Sequence, residues 1–305
     1  MSVVVLGSIF VDIKGYPTDN FIPGAGRNAG RVKYVHGGVS RNIAEDLGNM
    51  GLSPVFLSLV DDSGVGADVI ARLKSHGVNT DYVRQVQGGM GTWLAVFDNS
   101  NDVAASVSVR PNLSPLMDVL RDNGDEIFAR ADSVLLEMDM ESELCAEIFR
   151  LSEKHGKRIY AAVSNINIAL ERRDFVRRLS CLVCNRIEAE IFFSVPFGHM
   201  ELQALAVELS ERIVAARIPA MVVTLGGDGA IWADIDGNYG ICQPINVPVA
   251  DTTGAGDAFF AGTAAGLTYG KTLAESCDIG TRLASAVICT VDNTCPRFMP
   301  KEFGL

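Results

Sequence analysis

The chain has 305 residues, of which 48% are hydrophobic and 21% are charged, and its formal net charge at pH 7 is −11. This length and composition predict a globular protein with one large core, because longer chains usually divide into several domains. The acidic balance argues against nucleic acid polymers and anionic membranes as partners. The first residues lack a secretory signal, and the seven cysteines are not spaced like a disulfide framework, so we expect a cytoplasmic protein.

Short β-branched runs alternate along the chain with longer amphipathic stretches. The runs that predict strands are SVVVLGSIFV, PVFLSLV, SVLLEM, RIYAAVS, CLVCN and AMVVTLG. Several are apolar throughout, as is typical of strands covered on both faces of a parallel sheet. The stretches that predict helices are SRNIAEDLGNMG, VGADVIARLKSHG, ESELCAEIFRLSEKHG and MELQALAVELSERIVAARI. The alternation predicts an α/β fold with a doubly wound, mostly parallel central sheet.

Two segments interrupt this alternation. Residues 13–36 are rich in Gly and Pro, and residues 88–110 read as two strands joined by the turn DNSND. We expect the two segments to form a small antiparallel β lid on a single domain that spans residues 1–305. A lid suits chemistry that must exclude water. Because an exposed small sheet tends to be covered, we also expect a homodimer formed through the lid.

A Cys-x-x-Cys pair, Cys181 and Cys184, could indicate a redox pair or half of a zinc site. No second pair follows at zinc-finger spacing. The pattern therefore favours two small side chains on a buried strand.

The stretch DTTGAGDAFFAG, at 251–262, has the strongest chemical pattern in the chain. Gly254, Ala255 and Gly256 precede an apolar helix, whose free backbone N–H groups favour an anion such as phosphate. Asp257 would repel that anion, so its position suggests a general base that takes a proton from an attacking hydroxyl. The alternative is that Asp257 caps the helix and the glycines form a tight turn.

This stretch resembles the C-terminal signature D-T-x-G-A-G-D of the PfkB, or ribokinase-like, carbohydrate kinases. GGVSRNIAEDLGNMG, at 37–51, is similar to the N-terminal motif of the same family. The two motifs occur in the expected order, and the resemblance covers nearly the whole chain. It implies a ribokinase-like fold and a kinase that uses ATP and Mg²⁺.

The resemblance also implies roles for individual residues in the acceptor and phosphate sites. Asp257 would be the catalytic base, and the backbone at 254–256 would be the anion hole. Asp251 and the backbone of Thr253 would lie at a monovalent-cation site that could take K⁺. The residues expected to bind the hydroxyl-bearing substrate are Asp12, Gly37, Gly38, Arg41 and Asn42.

Two further patterns are similar to nucleotide-binding segments of that family. NRIEAE would bring Asn185 to the nucleotide phosphates and Glu188 to hydrated magnesium, which needs few protein carboxylates. VTLGGDGA would line the ATP site, although the same letters fit a hairpin turn between two strands. Its predicted contacts are Thr224, Gly226, Gly227 and Gly229.

The acceptor is less well specified. VDIKG, NAGRV, RNIAEDL and DNTCP are similar to the pseudouridine kinase branch of the family, but Ala29 stands where that branch usually has proline. Asp139, after a predicted strand, is a further candidate contact with the acceptor. Glu137 competes for that role, and a solvated strand-end carboxylate is an equal alternative for either.

We therefore predict an ATP-dependent phosphotransferase acting on a hydroxymethyl group of a sugar or nucleoside, with pseudouridine favoured. A kinase of a free sugar such as ribose or fructose is one alternative, and a non-catalytic sensor of the same fold is another. A nicotinamide-dependent oxidoreductase is disfavoured, because GAGRNAG at 24–30 follows a loop rather than a strand and so lacks the dinucleotide-binding context.

Overall fold

Two sheets form the framework of the molecule. The computed structural model describes residues 1–99, 103–163, 165–198 and 200–305. The strands in this part of the chain are β1 (Val3–Leu6), β2 (Phe10–Pro17), β3 (Gly30–Gly37), β4 (Val55–Val60), β5 (Val83–Gln85), β6 (Gly91–Phe97), β7 (Val103–Val109), β8 (Ser133–Glu137), β9 (Arg158–Ala162), β10 (Cys181–Asn185), β11 (Ala220–Thr224), β12 (Ala230–Asp234) and β13 (Tyr239–Cys242).

The larger sheet has nine strands in the order β13-β12-β11-β10-β9-β8-β1-β4-β5. The pairs from β11 through β5 are parallel, and the two pairs made by β12 are antiparallel. The predicted mostly parallel sheet is confirmed, and each of the six predicted strand runs contains a strand. Parallel strands bring their carboxyl ends to one edge, which is where ligands bind in open α/β sheets.

Helices cover both faces of this sheet. They are α1 (Val39–Asn49), α2 (Gly64–Ser75), α3 (Leu116–Arg130), α4 (Ser142–Lys154), α5 (Ile166–Glu171), α6 (Arg173–Val176), α7 (Arg186–Phe193), α8 (Leu202–Ala216), α9 (Ala255–Thr268) and α10 (Leu273–Ile288). Alternate residues of β1 point into two different hydrophobic clusters, Val4 and Leu6 into one and Val3 and Val5 into the other. The fold is therefore doubly wound, as predicted. In the described part of the chain, no helix has both the length and the apolar character needed to cross a bilayer.

The smaller sheet has four strands in the order β3-β2-β6-β7. Its two outer pairs are antiparallel, and the central pair β2–β6 is parallel. The predicted single run SVVVLGSIFV divides into β1 and the start of β2. The division falls at Gly7, where a Cβ atom would lie 2.0 Å from Ser40 Oγ and 2.4 Å from the Glu137 carboxylate. The predicted DNSND turn falls partly on residues 100–102, outside the described residues.

The two faces of the smaller sheet differ in polarity. Asp12 and Lys14 are buried on β2, while Ile13 between them points to the opposite face. Cross-strand register places Ile13 beside Tyr34 and Leu94, and Leu94 beside Val107. One face therefore carries two charged side chains toward the larger sheet, and the other carries an apolar row.

Cys181 and Cys184 lie on β10 and are buried. Burial raises the pKa of Cys181 to about 12, so this thiol stays protonated. Both cysteines are free, and the prediction of two buried strand side chains is confirmed.

Candidate active site

The N-terminus of α9 forms an open backbone cradle. Gly254 caps the helix with φ 84°, and a Cβ atom there would lie 2.0 Å from the carbonyl oxygen of Asn293. Glycine is therefore required on both conformational and steric grounds. A Cβ atom on Gly256 would have no neighbour within 4 Å, so the space in front of the first helical turn is open. The N–H groups of this turn have no acceptor within the helix and can bind an anion.

Asp257 lies in the first turn of α9 and is partly buried. The cap residue is Gly254 and no side chain caps the helix, so the alternative in which Asp257 is the cap is wrong. Its Oδ2 instead accepts a hydrogen bond of 2.6 Å from Asn42 Nδ2. Burial, with the nearby charges of Glu137 and Asp12, raises the pKa of Asp257 to about 7 despite this hydrogen bond. A carboxylate with such a pKa is suited to accept a proton near neutral pH.

The orientation of the Asn42 amide is fixed from its other end. Its Oδ1 accepts hydrogen bonds from Arg41 Nη2 and from Asn293 Nδ2, the latter at 3.2 Å. Because both groups donate to the amide oxygen, the amide nitrogen faces Asp257. This pairing leaves a carboxylate oxygen of Asp257 for a substrate hydroxyl.

Arg41 does not reach the open part of the site. Its side chain is fully buried, and its guanidinium donates to Glu45 and to the carbonyl oxygen of His36, both at 2.7 Å. The side chain is thus enclosed by protein, and its place beside Asn42 favours a positioning role over direct contact with the substrate. Arg41 positions Asn42.

A buried charge network fastens α1 to the segment after α10. Glu45 accepts from Arg72 Nη2 at 2.7 Å and from Thr294 Oγ1 at 2.8 Å. Burial alone would raise the pKa of Glu45, but Arg72 and Arg41 lower it to about 2. The backbone N–H of Cys295 donates to Asp46 Oδ1 at 2.7 Å. The DNTCP stretch thus has a structural role that the sequence did not reveal.

Asp12, Gly37 and Gly38 lie beside the hydrogen-bonded pair of Asn42 and Asp257. A Cβ atom on Gly37 would lie 2.4 Å from Asp12 Oδ1, and one on Gly38 would lie 2.6 Å from the carbonyl oxygen of Ser8. The absence of side chains there lets β3 and the start of α1 approach β2 closely. Burial raises the pKa of Asp12, while the charges of Lys14 and Arg41 act in the opposite direction. The charge of Asp12 raises the pKa of Asp257, to which Asn42 donates, so Asp12, Asn42 and Asp257 form one cluster.

The two carboxylates at the end of β8, Glu137 and Asp139, are not solvated. Glu137 Oε2 accepts from the backbone N–H of Ser8 at 2.9 Å and from Ser40 Oγ at 2.8 Å, so it joins the end of β8 to α1 and to the segment between β1 and β2. The side chain of Asp139 is 3% exposed and forms an ion pair with Arg110, which directly follows β7. Both carboxylates line a cavity of about 180 Å³ that also touches Phe10. The alternative of a solvated strand end is wrong for both.

The predicted nucleotide residues lie together at the carboxyl edge of the sheet. Asn185 and Thr224 are register partners at the ends of β10 and β11. Asn185 also caps α7, because its Oδ1 accepts from the Glu188 N–H at 2.9 Å and Glu188 Oε2 accepts from the Asn185 N–H at 2.8 Å. This reciprocal pair is a capping box, which accounts structurally for the N-x-x-E pattern.

The glycine-rich turn after β11 joins it to β12 as a hairpin. Gly226 has φ 63° and Gly229 has φ 89°, and a Cβ atom on Gly229 would lie 2.2 Å from the carbonyl oxygen of Cys242. A Cβ atom on Gly226 or Gly227 would meet nothing within 4 Å. The hairpin interpretation is confirmed, and its outer surface is open backbone beside Thr224.

Asp251 organises the turn before α9. Its Oδ1 accepts a hydrogen bond of 2.9 Å from the backbone N–H of Thr253. Among the described residues, no group of three or more His, Cys, Asp or Glu side chains could hold a metal ion. Asp251 and Glu188 could therefore each contribute a single carboxylate to a cation that takes its other ligands from elsewhere.

The sequence pattern did not single out Lys14. It is 4% exposed, and its Nζ donates to Thr253 Oγ1 at 3.3 Å. The signal was present, since a lysine two positions after Asp12 on a strand shares its face. Without knowing that this face was covered, we could not distinguish it from a surface lysine.

A backbone anion cradle beside a carboxylate of raised pKa is the arrangement that transfer of a phosphoryl group to an alcohol requires. The pfkB family carbohydrate kinase model matches residues 1–296. The chain therefore belongs to the pfkB family of carbohydrate kinases, and the predicted family, fold and enzyme class are confirmed.

Individual relatives agree with this membership. The chain is 29% identical to guanosine-inosine kinase of Exiguobacterium acetylicum over 298 residues, which cover 95% of each chain. It is 28% identical to pseudouridine kinase of Escherichia coli over 278 residues, which cover 90% of this chain and 86% of that protein. Ribokinase of Arabidopsis thaliana, solved with ribose and ATP, superposes with a TM-score of 0.83 at 21% identity and covers 99% and 96% of the two chains. The likeness to named kinases favours a sugar or nucleoside kinase over a sensor or an oxidoreductase.

Replacing Asp257 by Asn should stabilise the protein at pH 8. The pKa of Asp257 rises from 3.8 to about 7 on folding, so the folded state binds the proton more tightly. Stability therefore falls as pH rises through that window, and the wild type carries the whole penalty above pH 7. A shift of about three pKa units corresponds to at most about 4 kcal/mol, so we expect Asp257→Asn to gain about 1–4 kcal/mol at pH 8 and close to nothing at pH 4. Thermal melts at both pH values test this, with Asp278→Asn on the exposed side of α10 as control. A gain that does not depend on pH would contradict the assignment.

Proposed function

We propose that the protein transfers the γ-phosphoryl group of ATP to the hydroxymethyl group of a nucleoside, with pseudouridine as the favoured acceptor. One observation carries the proposal: Asp257 is held by Asn42 directly beside the open N-terminus of α9. A base for the hydroxyl and a cradle for the phosphoryl oxygens are thus adjacent.

In the proposed reaction the acceptor hydroxyl gives its proton to the Asp257 carboxylate while its oxygen attacks the γ-phosphorus. The bond from that phosphorus to the β–γ bridging oxygen breaks, and ADP leaves with the electron pair. Asp12 and Asn42 would orient the acceptor, since a carboxylate accepts from hydroxyl groups and an amide can donate to them. The backbone of residues 254–256 would stabilise the charge on the transferring group.

The nucleotide would lie along the open backbone at Gly226 and Gly227, with Asn185 and Thr224 near its phosphates. This assignment is supported by the open space in front of both glycines and by the shared sheet edge. Glu188 would reach Mg²⁺ through water, which suits an ion that keeps several waters and binds substrate phosphates. Magnesium would supply positive charge between the phosphates. Asp251 and the Thr253 backbone would bind a monovalent cation such as K⁺.

The cavity beside Glu137 supports a nucleoside over a free sugar. It begins at Ser8 and Phe10, next to the Asp12 cluster, and extends to Arg110 and Asp139. Its volume of about 180 Å³ would give a ring attached to the ribose a place to lie. The pseudouridine kinase relative favours a pyrimidine in that place. Guanosine or inosine is the second candidate, because a guanosine-inosine kinase matches over more of its length.

An ATP-consumption assay over a panel of acceptors tests the proposal. Pseudouridine, uridine, guanosine, inosine, adenosine, ribose, fructose and fructose phosphates would be compared with Mg²⁺, with and without K⁺. We expect pseudouridine to give the highest kcat/KM and ribose a much lower value. Equal turnover of ribose would contradict the nucleoside assignment, and no turnover with any acceptor would contradict the kinase proposal.

The rate should depend on the ionisation of Asp257. Because burial raises the pKa of Asp257 to about 7, kcat/KM should fall about tenfold per pH unit below that value and level off above it. Asp257→Asn should lower kcat by about 10²–10⁴-fold and abolish this acid limb. Steady-state rates from pH 5.5 to 9 measure both effects. An acid limb that persists in the variant would assign it to another group.

We also propose that two copies associate through the apolar face of the smaller sheet. Tyr34, Leu94 and Val107 are 71%, 45% and 65% exposed and lie in one cross-strand row. Apolar patches of this kind often mark interfaces between protein copies. The same sheet would close over the acceptor, so association would hold its strands in place.

Sedimentation velocity at micromolar concentration tests the dimer. The wild type should sediment as a dimer, and Tyr34→Asp should shift it toward the monomer by placing a charge in the apolar row. Val214→Asp, on the exposed side of α8, is the matched control and should leave the dimer intact. A monomeric wild type would exclude the proposed interface.

A further inference from the structure

Lys14 is a buried cation whose only hydrogen-bond partner in the described part of the chain is neutral. Its side chain comes from β2, on the face that carries Asp12, and is 4% exposed. Its Nζ donates to Thr253 Oγ1 at 3.3 Å, and no carboxylate among the described residues lies within 4.0 Å of it. An ammonium group has three N–H donors, and burying it without an anion in direct contact is costly. The contact to one hydroxyl leaves donor capacity for another oxygen.

The position of Lys14 joins the two halves of the site. Thr253 directly precedes Gly254, the first residue of the backbone cradle. Asp12, two residues before Lys14, belongs to the acceptor cluster, and the charge of Lys14 acts on its carboxylate. The ammonium group therefore lies between the region for the acceptor hydroxyl and the region for the phosphoryl oxygens.

The position of Lys14 matters because most charged side chains near the cradle are carboxylates. Asp257 lies in the first turn of α9, Asp251 holds the turn before it, and Glu137 and Asp12 are close enough to Asp257 for their charges to raise its pKa. Arg41, whose charge acts on Asp257, is enclosed and pairs with Glu45. A triphosphate entering the site would meet mainly negative protein groups, and a lysine on the smaller sheet would offset their charge.

We propose that Lys14 is a further catalytic residue, which donates a hydrogen bond to the phosphoryl group as it passes from ATP to the acceptor oxygen. This inference rests on the proposed kinase reaction. The proton stays on Lys14 throughout, and its charge stabilises the oxygens of the transferring group. Because the ammonium group is carried by the smaller sheet, closure of that sheet completes the catalytic centre as well as excluding water.

Steady-state kinetics of Lys14→Met and Lys14→Arg test the role. Met keeps the length and apolar character of the lysine stem, so the variant should fold, and its Tm is measured to establish this. We expect kcat to fall about 10²–10³-fold in Lys14→Met with KM values within a few-fold of wild type, and partial recovery in Lys14→Arg. Lys33→Met is the matched control, because Lys33 is the exposed cross-strand neighbour of Lys14 and should leave kcat unchanged.

Binding of a transition-state mimic provides an independent readout. Calorimetry would compare MgADP alone with MgADP plus aluminium fluoride and acceptor, for the wild type and Lys14→Met. The variant should lose affinity for the fluoride complex and keep its affinity for MgADP. Unchanged kcat, a rise in acceptor KM alone, or equal loss for both complexes would overturn the proposal. A wild type that consumes no ATP with any acceptor would count against the kinase reaction itself, and the fluoride measurement would still decide the role of Lys14.

Discussion

The hydrogen bond from Asn42 to Asp257 holds the site together. It joins two residues 215 positions apart, one on the first helix and one on the ninth. Asn42 can address Asp257 only with its amide nitrogen, because Arg41 and Asn293 occupy its oxygen. Arg41 is held in turn by Glu45, and Glu45 by Arg72 and Thr294. The geometry of one carboxylate thus depends on a chain of buried contacts that draws on α1, α2 and the segment after α10.

The buried carboxylates of the site lower the stability of the folded state. Burial raises the pKa of Asp12, Glu137 and Asp257, which means that folding opposes the charge on each of them. Natural proteins keep such destabilising groups chiefly where function needs them. The buried network at Glu45 works in the opposite direction, since Arg72 and Arg41 stabilise its charge. Stabilising ion pairs thus lie behind the cluster and destabilising carboxylates lie within it.

Much of the fold could be predicted from the sequence, because hydrophobic periodicity and local composition determine which segments form strands and helices. Apolar runs marked the parallel strands, and the glycines before α9 marked its open N-terminus. Side-chain directions were harder to predict. Arg41 lies next to Asn42 in the sequence, yet it turns into protein, and Lys14 turns toward Thr253. Both outcomes depend on which residues cover a face, which is a long-range property. N-x-x-E is ambiguous for another reason, since a capping box uses the same letters.

The strand β2 shows why the register of the smaller sheet matters to the site. Successive side chains on a strand face opposite ways, so Asp12 and Lys14 face the cradle while Ile13 joins the apolar row. A slip of one residue would exchange the faces and place Ile13 against the phosphate region. Pairing with β3 over eight positions and with β6 over six makes such a slip costly. Gly37, at the end of β3, strengthens the constraint, because only a residue without a side chain can lie against the Asp12 carboxylate. The same pairings that build the sheet therefore fix which of its side chains can take part in chemistry.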